Sequence, residues 1–215
     1  MKVSIRENPS VVSTKGDPLC LKSAQKAKEY ILSCTGETEE KGGDGMIWSF
    51  WIYSFLGYLL EKGFAYVTKS AQQGRKGFLA LPLCPVYGLG MLAVLALPQP
   101  WQVGWRLVLA GGLAATAVEY SVHWVCERFL GVRFWDYSHT FGNLRGRVCL
   151  PFSLIWGGLV WAAVTWVQPW VELLGARVPP QVTFLCLLVF AADGICSVWL
   201  LRRWGDPEVL RADVP

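Results

Sequence analysis

The chain has 215 residues, 53% of them hydrophobic, and a mean hydropathy of +0.34. These values are too apolar for an ordinary soluble domain of this length. The net charge of +4 comes without a block or stripe of Lys and Arg, which argues against a nucleic-acid-binding surface. Composition therefore predicts an integral membrane protein whose principal partner is the lipid bilayer.

The first part of the chain, residues 1–45, has a different character. It carries 14 charged side chains, seven basic and seven acidic, and none of the 12 tryptophans. It also lacks the apolar core of a signal peptide, so we expect the first membrane span to act as its own insertion signal. Apolar residues at helical spacing between Cys20 and Cys34 leave two possibilities open, a surface helix and disorder.

Five stretches of roughly 20 mostly apolar residues follow, the length that a spanning helix needs. They predict an all-α fold, a polytopic transmembrane helix bundle within residues 46–201, with a polar C-terminal tail at 202–215. The predicted spans are 46–68, 79–98, 104–127, 148–171 and 179–201.

Basic residues near the span ends predict the orientation. Nine lie on one side of the membrane and three on the other, so the positive-inside rule places the C-terminus in the cytoplasm and the N-terminal tail outside. The expected location is the cell membrane. Six tryptophans cluster at the proposed outer ends of the first four spans, as interfacial anchors would: Trp48, Trp51, Trp101, Trp105, Trp166 and Trp170.

Two segments of the chain resemble each other, which predicts an internal repeat. Each has an acid within a span, a basic loop that contains glycine, a Cys and Pro near the start of the next span, and an aromatic residue followed by glycine. The matching positions are Glu61 with Glu119, Cys84 with Cys149, Tyr87-Gly88 with Trp156-Gly157, and loop Arg75 with Arg145 and Arg147.

Three of the predicted spans carry an acid, at Glu61, Glu119 and Asp193. Each lies 14 or 15 residues from the outer end of its span, which is roughly 21–23 Å into a hydrocarbon slab of about 30 Å. A carboxylate at that depth must face water, take up a proton or meet a cation. Two interpretations stay open, a site for a cation, a proton or a polar substrate, and a structural Glu–Arg network.

The loops on the same side supply candidate partners for these acids. Arg75, Arg145 and Arg147 can hold a carboxylate with two parallel N–H groups, and Asp136 of the intervening loop could pair with a loop arginine. The loop segment from Arg133 to His139 alternates polar and aromatic residues, which suits a segment in the membrane interface or one folded back into the bundle.

Other polar residues give weaker signals. Glu119, His123 and Glu127 follow one helical face, a conceivable metal-ligand spacing, although a polar face toward the bundle or the headgroups is favoured. The seven cysteines show no CxxC spacing, so we interpret them as small apolar residues without a disulfide, a metal or a nucleophilic role. No catalytic residue, metal ligand or cofactor site is predicted.

Several long motifs resemble the bacterial ABC-transporter permease family called type IV, over about residues 48–168. The residues that carry the resemblance are Phe50-Trp-Ile-Tyr-Ser-Phe-Leu-Gly-Tyr-Leu-Leu-Glu61, Gly77-Phe78, Pro82-Leu-Cys-Pro-Val-Tyr-Gly88, Glu119-Tyr120, Phe134-Trp-Asp-Tyr-Ser138, Asn143-Leu-Arg-Gly-Arg-Val-Cys-Leu150 and Ser153-Leu-Ile-Trp-Gly157.

The resemblance implies a membrane component of a transport system, with no substrate assigned. The chain lacks the G-x-x-x-x-G-K-[ST] motif of P-loop ATPases, so any ATP-driven transport would need a separate ATPase subunit. Two alternatives remain. One is a membrane-embedded enzyme acting on a lipid or lipid-linked substrate, and the other is a structural or regulatory membrane subunit.

Overall fold

The fold is helical. A computed structural model describes residues 41–67 and 78–210, which leaves the predictions for residues 1–40, for Arg75 and for residues 211–215 outside the described residues. Apart from Lys41, the described residues belong to one compact unit, Gly42–Pro215. Its helices are α1 (Lys41–Val67), α2 (Pro85–Leu95), α3 (Gly104–Leu130), α4 (Leu150–Ala162), a π-helical segment (Ala163–Val167), α5 (Gln168–Gly175) and α6 (Pro180–Trp204).

Shorter elements connect these helices. Single 3₁₀ turns lie at Gln99–Trp101 and Pro207–Leu210. Strands β1 (Asn143–Leu144) and β2 (Val148–Cys149) form a small antiparallel hairpin between α3 and α4. Segments α4, π and α5 follow one another without a break, so the described chain contains five helical rods, one in each predicted span.

The second rod is shorter than the span predicted at 79–98. Helix α2 has 11 residues, about 16 Å at the rise of an α-helix. It begins at Pro85, where the missing N–H of proline and its fixed φ fit the first helical position, and Cys84 before it is extended. The helix ends before Pro98, and residues 79–84 form a non-helical segment.

The fourth rod changes its winding shortly before a proline. Pro169 cannot donate to the carbonyl of Thr165, and its ring would collide with that carbonyl in a regular α-helix. The π-helical segment Ala163–Val167 lies at this point, and the wider turn accommodates the missing bond. Tyr53 of α1 donates a hydrogen bond to the carbonyl of Ala163, 3.3 Å away.

Two of the rods are long and apolar enough to cross a membrane, Leu150–Gly175 and Pro180–Trp204, with mean hydropathies of 1.6 and 2.2. Only 17% and 11% of these apolar windows are buried inside the protein, whereas the core helix of a soluble protein is mostly buried. Their apolar side chains therefore face outward, which is the arrangement that a lipid solvent favours.

Glycines allow close packing within two helix pairs. A Cβ added to Gly88 of α2 would lie 2.6 Å from the carbonyl oxygen of Phe50 in α1. A Cβ added to Gly157 of α4 would lie 2.7 Å from the carbonyl oxygen of Val108 in α3. Small residues bring helices together in this way in membrane proteins, where packing replaces the hydrophobic effect between helices.

Neighbouring glycines of α4 give a matched test of this packing. Gly157→Ala should destabilise the protein by about 1–3 kcal/mol, since the new methyl group meets main-chain atoms of α3. Gly158→Ala meets nothing within 4 Å, so its stability should stay within about 1 kcal/mol of the wild type. Unfolding of the two variants in the same detergent measures the difference, and equal stability would contradict the packing described.

Candidate polar site

The most deeply buried acid of the described chain is Glu119 of α3, which has no exposed surface. The indole N–H of Trp156 in α4 donates to its Oε2 at 2.8 Å, and the hydroxyl of Tyr137 donates to its Oε1 at 3.1 Å. Apolar residues of α3 and α4 surround Trp156, among them Leu107, Ala115 and Val160. Aromatic side chains therefore bring polar hydrogens to a carboxylate in an apolar core.

The second acid, Glu61 of α1, is half-buried and has a similar donor. The hydroxyl of Tyr87 in α2 donates to its Oε1 at 2.6 Å. The rings of Tyr87 and Trp156 are in contact, with centroids 4.9 Å apart and planes inclined by 50°. A continuous path of contacts, Glu61–Tyr87–Trp156–Glu119, thus connects the two carboxylates.

The donors occupy corresponding places in the two helix pairs. Tyr87 precedes Gly88, which packs on Phe50 of α1, while Trp156 precedes Gly157, which packs on Val108 of α3. In each pair the aromatic residue donates to the acid of the preceding long helix. The close glycine contact brings the second helix near enough for this donation.

The loop between α3 and α4, residues 131–149, folds into a compact segment that we call the cap. It buries Val132, Phe134 and Tyr137, and its hairpin ends in a turn in which the N–H of Arg147 donates to the carbonyl of Leu144 at 3.1 Å. Both central residues of the turn have positive φ, as a type I′ turn requires: Arg145 (55°) and Gly146 (69°). Of the two alternatives for the segment Arg133–His139, the membrane interface or a fold back into the bundle, the structure shows its residue Phe134 packed against helices.

Asp136 makes its hydrogen bonds within the cap, and no arginine within residues 41–67 or 78–210 forms an ion pair with it. Its Oδ1 accepts the backbone N–H of Ser138 at 2.8 Å and the Ser138 hydroxyl. These two hydrogen bonds, the hydroxyl bond first, hold the pKa of the Asp136 carboxyl below its usual range. A Cβ at Gly146 would lie 2.6 Å from the same oxygen, so the turn packs directly on this aspartate.

Arg147 attaches the cap to α3. Its Nε and Nη2 donate to Oε2 of Glu127 at 3.1 and 2.8 Å, and its Nη1 donates to the Tyr120 hydroxyl at 2.7 Å. The hydrogen bonds to Glu127 raise the pKa of Arg147 above its ordinary value. Arg133 donates to the other oxygen of Glu127 through its Nε at 2.9 Å.

His123 forms a second attachment, one turn before Glu127. It is 3% exposed, and its Nε2 lies 2.9 Å from the carbonyl oxygen of Trp135. The indole N–H of Trp135 in turn donates to the carbonyl of Arg147 at 2.8 Å. The cap therefore covers the Glu119, His123 and Glu127 face of α3.

The structure also describes three other predicted site residues, Asp193, Arg145 and Arg147. Asp193 of α6 accepts the backbone N–H of Leu81, in the segment before α2, at 3.2 Å. Arg145 is exposed at the hairpin turn. Arg147 contacts Glu127 rather than Glu119, because it lies beside the C-terminal end of α3, two helical turns from Glu119.

Sequence reasoning did not assign the donors. Tyr87, Trp156 and Tyr137 all lie in the motifs that carry the family resemblance, and the first two follow the repeat, so a search for polar aromatics paired with each acid could have found them. Within 41–67 and 78–210, no group of three or more His, Cys, Asp or Glu side chains could hold a metal ion.

The fold and the site define a class, a helical membrane protein with acids held inside the bundle by aromatic donors. The family model described as "Putative ABC-transporter type IV" matches residues 48–198, more than half of the chain. The chain therefore belongs to this family of ABC-transporter-related membrane proteins. No curated protein and no solved structure matches it.

The donors of Glu119 can be tested one at a time. Trp156→Phe and Tyr137→Phe should each lower the free energy of unfolding by about 1–3 kcal/mol, since the buried carboxylate loses one hydrogen-bond donor. Trp161→Phe, an exposed tryptophan of the same helix, serves as the control and should leave stability unchanged. Chemical unfolding in detergent provides the measurement, and an effect at Trp161 as large as at Trp156 would contradict this role.

Substitutions at the two arginines of the cap turn, Arg145 and Arg147, should have very different effects on the unfolding temperature in a neutral detergent. Arg147→Gln and Arg147→Lys should both lower the unfolding temperature, because neither replaces a guanidinium that reaches Glu127 and Tyr120 together. Arg145→Gln should leave it unchanged, since that side chain is exposed. Thermal unfolding monitored by tryptophan fluorescence distinguishes the two, and full rescue by lysine would rule out the need for the planar group.

Proposed function

We propose that the chain is the membrane component of an ATP-driven transport system. The observation that carries this proposal is the family match over residues 48–198. The two apolar rods support residence in a membrane. ATP would be hydrolysed by a separate subunit, because this sequence has no P-loop motif.

The proposed topology has five membrane passages, an outer N-terminal tail and a cytoplasmic C-terminus. The five helical rods and the excess of basic residues on one side support it. In this arrangement the cap lies at the cytoplasmic end, since it joins the end of α3 to the start of α4. Trp105, Trp166 and Trp170 are exposed at the opposite end of α3 and of the rod Leu150–Gly175, where an aromatic belt would lie.

We further propose that α1–α2 and α3–α4 are two copies of one unit related by an internal repeat. The equivalent glycine contacts on Phe50 and Val108 support this. The equivalent donations, Tyr87 to Glu61 and Trp156 to Glu119, support it independently. Repeats of this kind place functional groups where the copies meet, which here is the contact between the Tyr87 and Trp156 rings.

The functional site is then the pair Glu61 and Glu119 with their aromatic donors. Carboxylates in a membrane interior suit a proton, a cation or a polar substrate. Asp193, Arg75 and Arg145 stay candidates for the same pathway, whereas Arg147 attaches the cap to α3 and Asp136 forms hydrogen bonds within the cap. A lipid-modifying enzyme is the second candidate function, and the polar site inside an apolar bundle is the observation that favours it.

The proposal is tested by purifying the tagged full-length chain from the membranes of cells that express it natively. Mass spectrometry should identify a copurifying subunit with a P-loop motif, and the reconstituted pair should hydrolyse ATP. Glu61→Gln and Glu119→Gln should change the hydrolysis rate by about tenfold or more if these acids belong to the transport cycle. Asp213→Asn, in the C-terminal tail, is the matched control and should not.

One result would contradict transport itself, and another would contradict the site assigned to it. The first is a chain that purifies without an ATPase and chemically converts a lipid on its own, which would establish the enzyme alternative. The second is a reconstituted pair whose ATP hydrolysis is the same in the wild type and in both glutamine variants, which would remove the acids from the cycle.

A further inference from the structure

The tip of the cap, residues 141–145, exposes apolar and basic side chains next to one another. Phe141 is 79% exposed and Leu144 is 57% exposed, and Arg145 follows directly at the hairpin turn. The other arginines of the cap, Arg133 and Arg147, both bind Glu127. Arg145 makes no ion pair with any residue in the described parts of the chain.

The backbone at the tip does not account for an arginine. Arg145 has a φ of 55°, and among the described residues it is the only residue other than glycine with a positive φ. Asn, Asp or Gly would suit this position of a type I′ turn better. The side chain, rather than the turn, therefore explains why an arginine is found here.

The neighbouring helix end has the same chemistry. Leu201 of α6 is fully buried and packs with Val132 and Phe134 of the cap, so the end of α6 lies beside the cap. Beyond Leu201 the helix exposes Arg202, Arg203 and Trp204, and the guanidinium of Arg203 lies 5.9 Å from the ring centroid of Trp199. Exposed arginines beside aromatic rings are typical of the membrane interface.

We propose that the cap tip and the end of α6 form a binding surface for anionic phospholipid headgroups. Phe141 and Leu144 insert at the level of the headgroups, and Arg145, Arg202 and Arg203 lie against the lipid phosphates. Basic side chains next to a membrane gain from its negative surface charge, and apolar neighbours hold them at the interface. The assignment to the cytoplasmic leaflet rests on the proposed topology, whereas the lipid contact itself does not require ATP-driven transport.

Cleavage by trypsin after Arg145 tests the proposal, because a lipid that covers this arginine should slow the cleavage of the bond that follows it. The full-length wild type is placed in nanodiscs of phosphatidylcholine, and in nanodiscs where phosphatidylglycerol replaces part of that lipid. Cleavage after Arg145, followed by mass spectrometry, should slow about fivefold in the anionic discs, and added salt should restore it. Cleavage after Arg177, an exposed arginine outside this surface, is the control and should change little.

A variant separates the insertion of the tip from simple charge attraction. Phe141→Ser with Leu144→Ser keeps Arg145 as a cleavage site but removes the apolar anchors, so most of the protection should disappear. Both positions are exposed, and an unchanged unfolding temperature verifies the fold.

Three outcomes would overturn the proposal: equal cleavage in the two kinds of disc, equal slowing after Arg177, and protection that appears only when an ATPase is added. The last outcome would mean that the tip binds an acidic protein surface instead of lipid. None of these measurements depends on ATP hydrolysis, so failure here and failure of the transport proposal are distinguishable.

Discussion

A carboxylate enclosed in an apolar helix bundle needs polar hydrogens around it, and this requirement at Glu119 explains much of the arrangement. The donors come from two different elements, Trp156 of α4 and Tyr137 of the cap. Each must approach α3 closely, one through the glycine contact of Gly157 and the other through the folded loop. The Glu119 carboxylate thus requires α4 and the cap to lie close to α3.

The cap is a loop whose conformation is fixed by specific hydrogen bonds and an ion pair. Its short hairpin, the Asp136 hydrogen bonds to Ser138 and the attachment of Arg147 to Glu127 give these polar groups specified partners. Buried backbone groups in a loop carry a free-energy penalty unless they are paired. The result is a loop that delivers Tyr137 to a buried acid in a defined orientation.

Hydrophobic patterning predicted the helices well, because burial and lipid exposure both depend on side-chain polarity that the sequence displays directly. All five predicted spans contain a helix, but the extent of α2 was set by Pro85 and by the non-helical segment before it. The need of Glu61 and Glu119 for polar partners was also readable. Their partners were not, since the expected arginine Arg147 reaches Glu127 and the donors proved to be aromatic. Pairing depends on the path of the cap, which helical periodicity does not describe.

The glycine contacts also constrain which sequences can replace one another. A side chain at Gly88 or Gly157 would meet a main-chain carbonyl oxygen, of Phe50 or Val108, and every amino acid carries that atom. No single substitution on the facing helix can make room for it. At Gly111 the obstacle is the side chain of Val160, which a smaller residue could relieve. Second-site suppressors should therefore arise for changes at Gly111 but be nearly absent for changes at Gly88 and Gly157, so these two positions would vary least as the sequence diverges.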